Sequence, residues 1–323
     1  MEILIVAGEA SGDQHGANLV SALARIDPSM HFFGMGGPKL AETGVEIIHP
    51  ASRISVMGIV EVLPKIPEIL RVMEDLTREV RKRRPRCAIL IDVPDFKLRL
   101  AQKFKRLKIP VIYYVSPMVW AWRQSRTRIL AERVDRLLCI FPFEEAFLRS
   151  RGVNATYVGS PTVDHLPDVA APEVFRQQLQ LDVNAPTLAV LPGSRRSEIS
   201  RTLPILIDAC ERIQIDLPNL QVLIPIAPGI DRSALAAAFA QSTVKPVFID
   251  GRAPEVVGAC DVAIVTSGTA TLEAGLMQRP LVAVYKLHPL SYWLGRLLVR
   301  IPFFSLVNIV GEKEIIPELL QGN

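Results

Sequence analysis

The feature that most restricts the fold of this chain is an alternation of short β-branched runs with longer amphipathic segments, which occurs twice. In the first half, seven predicted strands are separated by helical patterns, which indicates a parallel sheet covered by helices. Residues 159–172 are rich in proline and turn-forming residues, and the alternation restarts after them. The chain of 323 residues is long enough for two domains, and we predict domains at 1–163 and 164–323.

Two successive halves of this kind predict the α/β class, with two doubly wound, Rossmann-like domains that face a central cleft. In parallel sheets, ligands bind outside the carboxyl ends of the strands. Polar residues that directly follow a predicted strand are therefore the first candidates for a functional site, and four such places occur.

The first half contains two of these places. Its first strand is followed by two glycines, the carboxylates Glu9 and Asp13 and the hydroxyl of Ser11. Carboxylates suit sugar hydroxyls or general-base catalysis, whereas the alternative is an ordinary turn in which Asp13 or Ser11 caps a helix. Asp92 and Asp95 follow a second buried strand and flank a proline. We expect one of this pair to be functional and the other to cap the next helix.

The second half begins with a strand that is followed by the sequence Pro-Gly-Ser-Arg-Arg and then by a helical pattern. The first turn of a helix presents N–H groups that the helix itself does not use, and its dipole end is positive. Gly193, Ser194 and Arg195 are therefore candidates to bind the diphosphate of a nucleotide sugar, with Arg195 supplying forked donors.

A later strand of the second half ends in hydroxyls and a glycine before another helix. Ser267, Gly268 and Thr269 are candidates to bind phosphate through backbone N–H groups. Glu273 follows Thr269 by about one helical turn, so both would face the same ligand, and its carboxylate suits two ribose hydroxyls. The alternative is a capped helix with a solvent-facing Glu273.

Charge is distributed unevenly between the halves. Residues 1–160 contain 24 Lys and Arg against 17 Asp and Glu, whereas residues 161–323 contain 13 against 16. A basic half favours an anionic partner such as a phosphorylated substrate, an anionic lipid surface or a nucleic acid. Because no RNA- or DNA-binding motif accompanies the charge, we expect no nucleic-acid partner.

Cysteine usage and the N-terminus bear on the compartment. Four cysteines lie in or beside apolar runs, and none forms a CxxC pair, which indicates buried thiols in a reducing compartment. The N-terminus enters a strand directly, and no run of about 18 apolar residues occurs. We therefore predict neither a signal peptide nor a transmembrane helix.

Six short sequences together resemble those of the bacterial lipid A disaccharide synthases: VAGEASGD, IDVPDF, SPMVWAWR, LPGSRRSEI, SGTATLE and SLVN. The resemblance extends over residues 3–321. It implies a GT-B-type fold and an inverting transferase that moves 2,3-diacylglucosamine from UDP to the 6-hydroxyl of 2,3-diacylglucosamine 1-phosphate. The products would be a β-1,6 disaccharide and UDP. The resemblance also implies no metal or other cofactor, and a peripheral location on the inner face of the cytoplasmic membrane. The oligomeric state stays open.

The resemblance also assigns roles to the two domains and their residues. The first domain would bind the acceptor and the membrane, with Asp95 as the general base and with Glu9, a further catalytic candidate, and Ser11 on the acceptor side. Asp92, at the same strand end as Asp95, is a candidate to bind substrate. The second domain would bind the UDP-sugar donor, with Arg195 at the diphosphate.

The resemblance also implies further roles on the donor side. Residues 267–269 and Glu273 match the nucleotide-binding segment of the family. Asn308 matches an asparagine that is functionally important there, and we expect it to contact substrate.

Two departures from the family pattern stand out. Lys97 occupies a position that is usually Asn, where we expect it to alter acceptor contacts and to lower the pKa of Asp95. The sequence also stops several tens of residues earlier than is usual in the family. We therefore expect the C-terminal helices that close the fold to be absent and the chain to be a truncation.

Three segments are candidates for contact with a membrane. Residues 56–70 are apolar but contain two prolines and three charges, and residues 290–304 mix aromatic side chains with arginines. Both patterns are also compatible with core packing. The basic run at residues 81–86 either complements a helix dipole or attracts anionic lipid.

Two other functions remain open at this point. One is a different enzyme that acts on UDP-sugars, such as a 2-epimerase or an N-acetylglucosaminyltransferase that uses a lipid intermediate. The other is a nonenzymatic module that binds a nucleotide sugar or a lipid. Dependence of UDP release on an acylated monosaccharide phosphate would distinguish them.

Overall fold

The computed structural model of the chain describes residues 1–53, 65–164, 166–167, 169–287, 292–293 and 301–321. These residues form two compact units, Met1–Pro161 and Thr162–Asn323. Two apolar segments, 56–70 and 290–304, were predicted to contact a membrane. Residues 56–64 of the first, and residues 290–291 and 294–300 of the second, lie outside the described residues.

The first unit is built around a seven-stranded parallel sheet with the strand order β3-β2-β1-β4-β5-β6-β7. Its strands are β1 (Glu2–Ala7), β2 (His31–Gly36), β3 (Glu46–Pro50), β4 (Ala88–Ile91), β5 (Val111–Tyr114), β6 (Arg136–Cys139) and β7 (Ala155–Tyr157). Its helices are α1 (Ala10–Ile26), α2 (Pro38–Glu42), α3 (Ile66–Arg83), α4 (Pro94–Arg106), α5 (Arg126–Arg133), α6 (Pro142–Arg149) and α7 (Pro161–Asp164), which reaches the second unit. A short 3-10 turn spans Ala51–Arg53.

The central strands of this sheet are apolar because both of their faces are covered. All four residues of β4 are buried, and so are five of the six residues of β1. Continuous apolar runs are typical of parallel strands that have helices on both sides. Gly34 in β2 has a φ of 147°, and a Cβ there would overlap the carbonyl of Ile5 on β1. This position therefore requires glycine, and the register of β2 with β3 shifts beside it.

The second unit contains a six-stranded parallel sheet with the order β10-β9-β8-β11-β12-β13. Its strands are β8 (Thr187–Leu191), β9 (Gln221–Ile226), β10 (Val247–Asp250), β11 (Val262–Thr266), β12 (Leu281–Tyr285) and β13 (Glu318–Leu320). Its helices are α8 (Pro172–Gln178), α9 (Arg196–Asp216), α10 (Arg232–Ala238), α11 (Ala253–Ala259), α12 (Thr269–Leu276) and α13 (Leu306–Gly311). The predicted fold class, two Rossmann-like parallel-sheet units, is confirmed.

No helix among the described residues is both long and apolar enough to cross a membrane.

Candidate functional site

The turn from β4 into α4 is the most constrained part of the first unit. Asp92 and Val93 both have positive φ, 64° and 42°, although neither is glycine. The Val93 N–H donates to Asp92 Oδ1 at 2.8 Å, and the Tyr113 hydroxyl donates to the Asp92 carbonyl at 2.8 Å. Left-handed conformations at non-glycine residues persist only where neighbours hold them, and they cluster at functional sites. Asp92 therefore shapes the turn that presents Asp95.

Asp95 lies in the first turn of α4, and its side chain is 76% exposed. Arg126, at the start of α5, forms an ion pair with Asp95 Oδ1, and only 12% of the Arg126 side chain is exposed. The guanidinium also lies 5.7 Å from the centre of the Trp122 ring. An arginine held in this way orients the carboxylate. The sequence analysis missed Arg126, because nothing local to residues 123–128 links it to a residue 31 positions earlier.

The turn from β1 into α1 lies against the same place. The Ser11 hydroxyl is 3.5 Å from Asp92 Oδ2, and a Cβ on Gly12 would lie 3.5 Å from the Asp92 Cβ. Glu9 precedes α1 with extended backbone and is exposed. Glu9, Ser11, Asp92 and Asp95 therefore lie at the carboxyl ends of the adjacent strands β1 and β4. This is the arrangement in which parallel sheets bind ligands.

Asp13, which the sequence offered as a cap of its own helix, has a different role. Its carboxylate is buried and accepts hydrogen bonds from the N–H groups of Gly37, Lys39 and Leu40, at 2.6, 2.9 and 3.3 Å. These groups belong to the start of α2, so Asp13 caps a helix that follows it by 25 residues. The carboxylate is therefore structural.

Lys97 is also not where the sequence analysis placed it. Helix α4 begins at Pro94, and this puts Lys97 on the buried face of the helix, with 0% exposure. A side chain that no solvent reaches does not contact an acceptor directly. The carboxylates whose charge acts on the amine are those of Asp92 and Glu9, whereas the sequence suggested an interaction between Lys97 and Asp95.

Glu144 is a buried carboxylate that the sequence analysis missed. The Trp120 indole N–H donates to its Oε1 at 3.1 Å, and the N–H groups of Ile140 and Phe141 donate to its Oε2. Burial raises the pKa of Glu144 to about 7 despite these donors. The carboxylate fastens the loop that carries Trp120 to the start of α6, so it supports this edge of the sheet.

In the second unit, the turn from β8 into α9 has the expected form. Gly193 has a φ of 119°, which favours glycine. Arg195 is the residue that precedes α9, its side chain is 53% exposed, and it pairs with Glu198 at 3.0 Å. Ser194 is exposed beside it. The half-exposed guanidinium thus lies at the positive end of a 21-residue helix, where an anion is stabilised.

The turn from β11 into α12 lies next to this loop. A Cβ on Gly193 would lie 3.7 Å from the Cγ2 of Thr266, the last residue of β11. Gly268 precedes α12 with a φ of 152°, and Thr269 is the first helical residue. The hydroxyl of Ser267 donates to the Phe304 carbonyl at 3.0 Å, so its side chain fixes the loop.

Glu273 is partly buried one turn into α12, and burial raises its pKa. A carboxylate with a raised pKa at the carboxyl edge of a sheet is a candidate ligand for hydroxyl groups. Gly193, Thr269 and Glu273 therefore lie on elements that follow the adjacent strands β8 and β11.

Asn308 is 0% exposed. Its amide nitrogen donates to the Ile316 carbonyl and to Glu318 Oε1, both at 2.9 Å, and its oxygen accepts from the N–H groups of Ile315 and Ile316. All four hydrogen-bonding positions of the side chain are used within the protein. The side chain therefore has no hydrogen-bonding position left for the expected contact with substrate. Asn308 instead joins α13 to β13.

Comparison with known structures shows which class of protein adopts this fold. The UDP-GlcNAc 2-epimerase from Neisseria meningitidis bound to UDP-GlcNAc superposes with a TM-score of 0.60 at 11% identity, over 97% of this chain and 90% of that one. The calicheamicin glycosyltransferase CalG4 superposes with a TM-score of 0.56 at 14% identity, over 88% of this chain and 78% of that one. The two units therefore have the GT-B-type fold, which these structures of an epimerase and a glycosyltransferase share.

Sequence comparison identifies the family within that class. The family model described as lipid-A-disaccharide synthetase matches residues 3–323. The lipid-A-disaccharide synthase of Myxococcus xanthus is 54% identical over 320 residues, which are 99% of this chain and 84% of the relative. That of Syntrophus aciditrophicus is 41% identical over 321 residues, with the same coverage. The chain belongs to the lipid-A-disaccharide synthase family and is a glycosyltransferase, which confirms the resemblance.

Proposed function

We propose that this glycosyltransferase moves 2,3-diacylglucosamine from its UDP conjugate to the 6-hydroxyl of 2,3-diacylglucosamine 1-phosphate, with inversion at the transferred carbon. The products are the β-1,6-linked disaccharide and UDP. The observation that carries the mechanism is the Asp95–Arg126 pair, which presents an exposed, oriented carboxylate at the carboxyl edge of the first sheet.

The first unit is proposed to bind the acceptor and to supply the base. Since Asp95 Oδ1 is bonded to Arg126, we assign Oδ2 as the atom that receives the proton of the acceptor hydroxyl. Glu9, Ser11 and Asp92 surround this position and suit sugar hydroxyls. Proton removal by a positioned base contributes about 10²–10⁴-fold to a reaction rate.

The second unit is proposed to bind the donor. The acceptor oxygen forms its bond to the sugar carbon as the bond from that carbon to the diphosphate breaks, and the electron pair leaves with UDP. Arg195 and the N–H groups around Gly193, Ser194 and residues 267–269 would stabilise the charge that develops on the diphosphate. Glu273 is assigned to the ribose hydroxyls. The Neisseria epimerase binds UDP-GlcNAc on the same fold, which supports a UDP-sugar as the donor.

The decisive measurement is mass spectrometry of the product formed from UDP-2,3-diacylglucosamine and 2,3-diacylglucosamine 1-phosphate. We expect a tetra-acyl disaccharide monophosphate and one UDP per disaccharide, with a β linkage by NMR. The 2-epimerases that share the fold make an epimerisation reaction the competing function. Epimerised donor, or release of UDP that does not depend on the acceptor, would contradict the proposal.

We also propose that the first unit meets an anionic membrane at the cytoplasmic face. Helix α3 ends in a basic run, of which Arg81, Lys82 and Arg84 are exposed. Arg83 is instead committed to the fold, because it pairs with Glu46 and Glu79. Each cationic side chain near an anionic bilayer contributes about 1 kcal/mol to binding.

The double variant Arg81→Gln/Lys82→Gln is therefore expected to bind less well to vesicles with about 30 mol% anionic lipid. Its affinity should be at least ~10-fold lower than that of the unmodified protein. Binding is measured by cosedimentation at low and high salt, because screening should abolish the difference. A variant that removes the same charge from the second unit, Arg212→Gln/Lys313→Gln, serves as the control. Equal losses in both double variants would show that the basic run has no special role.

A further inference from the structure

Helix α4 buries a lysine among its apolar residues. The side chains of Phe96, Leu100, Ala101 and Phe104 form the core-facing side of the helix, and Lys97 lies among them with 0% exposure. Lysine side chains in such positions usually extend their charge to solvent. Among the residues that the structure describes, the Lys97 Nζ has no hydrogen-bonding partner. A buried and unpartnered amine is costly to the fold, so its presence calls for a functional reason.

The amine lies under the proposed acceptor site. A Cβ on Gly8 would approach Lys97 Nζ to 3.4 Å and Val93 Cγ2 to 2.8 Å. Gly8 is the first residue of the β1–α1 turn, and Val93 belongs to the β4–α4 turn. Nζ therefore lies where the two turns that carry Glu9 and Asp92 come together.

The charges around the amine are mainly negative. Asp92, from the end of β4, and Glu9, from the β1–α1 turn, both act on it. On its own helix, Asp95 is paired with Arg126 of α5, and on β5 the Tyr113 hydroxyl donates to the Asp92 backbone. The carboxylates of Glu9 and Asp92 are thus the groups whose charge an ammonium at Lys97 would balance.

We propose that Lys97 is a positioning residue for acceptor binding: its ammonium form, held beneath Gly8, balances Glu9 and Asp92 so that the anionic acceptor can enter between them. This inference rests on the proposed function, since it concerns the same acceptor site. When the amine is neutral, its positive charge no longer offsets the carboxylates of Glu9 and Asp92, and their repulsion of the acceptor phosphate weakens binding.

Protonation of this amine is set close to neutral pH. Burial lowers the pKa of Lys97 to about 7, against the opposing effect of Asp92 and Glu9. A bound anionic acceptor favours the ammonium and raises this pKa further. Solvent supplies the proton, so acceptor binding near neutral pH takes up a proton at Lys97.

The effect on stability has the opposite sign to the effect on activity. The folded-state pKa lies below the unfolded value of 10.5, so the penalty for burying the amine is full below pH 7 and disappears as the pH rises towards 10.5. Lys97→Met should therefore melt at a higher temperature than the unmodified protein at pH 6.5, and this difference should shrink by pH 10. A variant that is more stable and less active cannot be explained by loss of packing.

The test measures kcat/KM for the acceptor from pH 6 to pH 9.5. For the unmodified protein we expect a fall that approaches tenfold per pH unit on the alkaline side, as Lys97 loses its proton. Lys97→Met should be at least ~10-fold less active at pH 7, and its profile should lack this alkaline fall. Lys103→Met, on the same helix and only partly buried, is the matched control and should keep the original profile.

A second readout does not depend on turnover. The side-chain carbon signals of isotopically labelled lysine should include one that titrates near pH 7, that is missing in Lys97→Met and that moves to higher pH when diacylglucosamine 1-phosphate is added. Absence of such a signal between pH 6 and 9, or a Lys97→Met profile that parallels the original, would overturn the inference. An unmodified protein that makes no disaccharide would instead contradict the proposed function, whereas the titration without acceptor would still report on Lys97.

Discussion

Replacement of Asp95 by Asn is expected to lower kcat at least ~100-fold, while the affinity for UDP stays within about twofold. Asparagine preserves the size of the side chain and can still contact Arg126, but it cannot accept the proton of the acceptor hydroxyl. Because Asp95 lies in the first unit and the proposed UDP site in the second, UDP binding should be insensitive to the change. Turnover is measured by UDP release, and UDP binding by calorimetry.

The control for this variant is Glu132→Gln. Glu132 lies on α5, near the Asp95–Arg126 pair in sequence, and forms an exposed ion pair with Arg128. Exposed pairs of this kind contribute little to stability, so this variant should retain its activity within about twofold. Normal turnover by Asp95→Asn would remove Asp95 as the base and direct attention to Glu9 or Asp92.

Replacement of Arg195 by Ala should lower kcat/KM for the donor by about 10²–10³-fold and weaken UDP binding about tenfold. The larger effect on turnover is expected because the diphosphate gains negative charge as it leaves, so Arg195 stabilises the transition state more than the bound donor. Initial rates at varied donor concentration, together with UDP calorimetry, measure the two effects separately.

Arg212→Ala is the matched control for this second prediction. Arg212 is on α9, the helix that Arg195 precedes, and pairs with Asp208 one turn away, much as Arg195 pairs with Glu198. The Arg212–Asp208 pair is exposed, so its loss should cost the fold little. If both variants lost activity equally, the effect would belong to the stability of α9 and the diphosphate assignment would fail.

The strands and the four loops at the strand ends were predictable from the sequence, because parallel strands with two covered faces leave continuous apolar runs. Seven strands were predicted for the first half, and the described residues of the first unit form a seven-stranded sheet. Most of the candidate site residues could be identified for the same reason, since they lie in the loops that follow such runs. Glu273 lies further along, one turn into a helix, and Asn308 was identified only from the family resemblance.

Side-chain environments were not predictable in the same way. Helix α4 starts after Val93, which has a left-handed conformation that β-branched residues rarely adopt. The burial of Lys97 on this helix therefore could not be expected from the sequence. Glu144 is buried because of contacts with Trp120, 24 residues away, and Arg126 reaches Asp95 across 31 residues. A pattern of local propensities carries no information on such pairs.

Asn308 illustrates the same limit from another side. The match to the family indicated importance but not its physical cause. Only the surrounding atoms show that the amide holds the N–H groups of Ile315 and Ile316 and the carboxylate of Glu318.

The capping of α2 by Asp13 has a consequence for the energetics of ligand binding. One carboxylate on α1 accepts hydrogen bonds from three N–H groups at the start of α2. The segment that contains Glu9 and Ser11 thus continues into a helix that is tied to α2, which begins 25 residues after Asp13. A segment anchored in this way has few conformations left to lose. We therefore expect the acceptor to bind with a small entropic cost of ordering the protein, so that more of the contact energy is available as affinity.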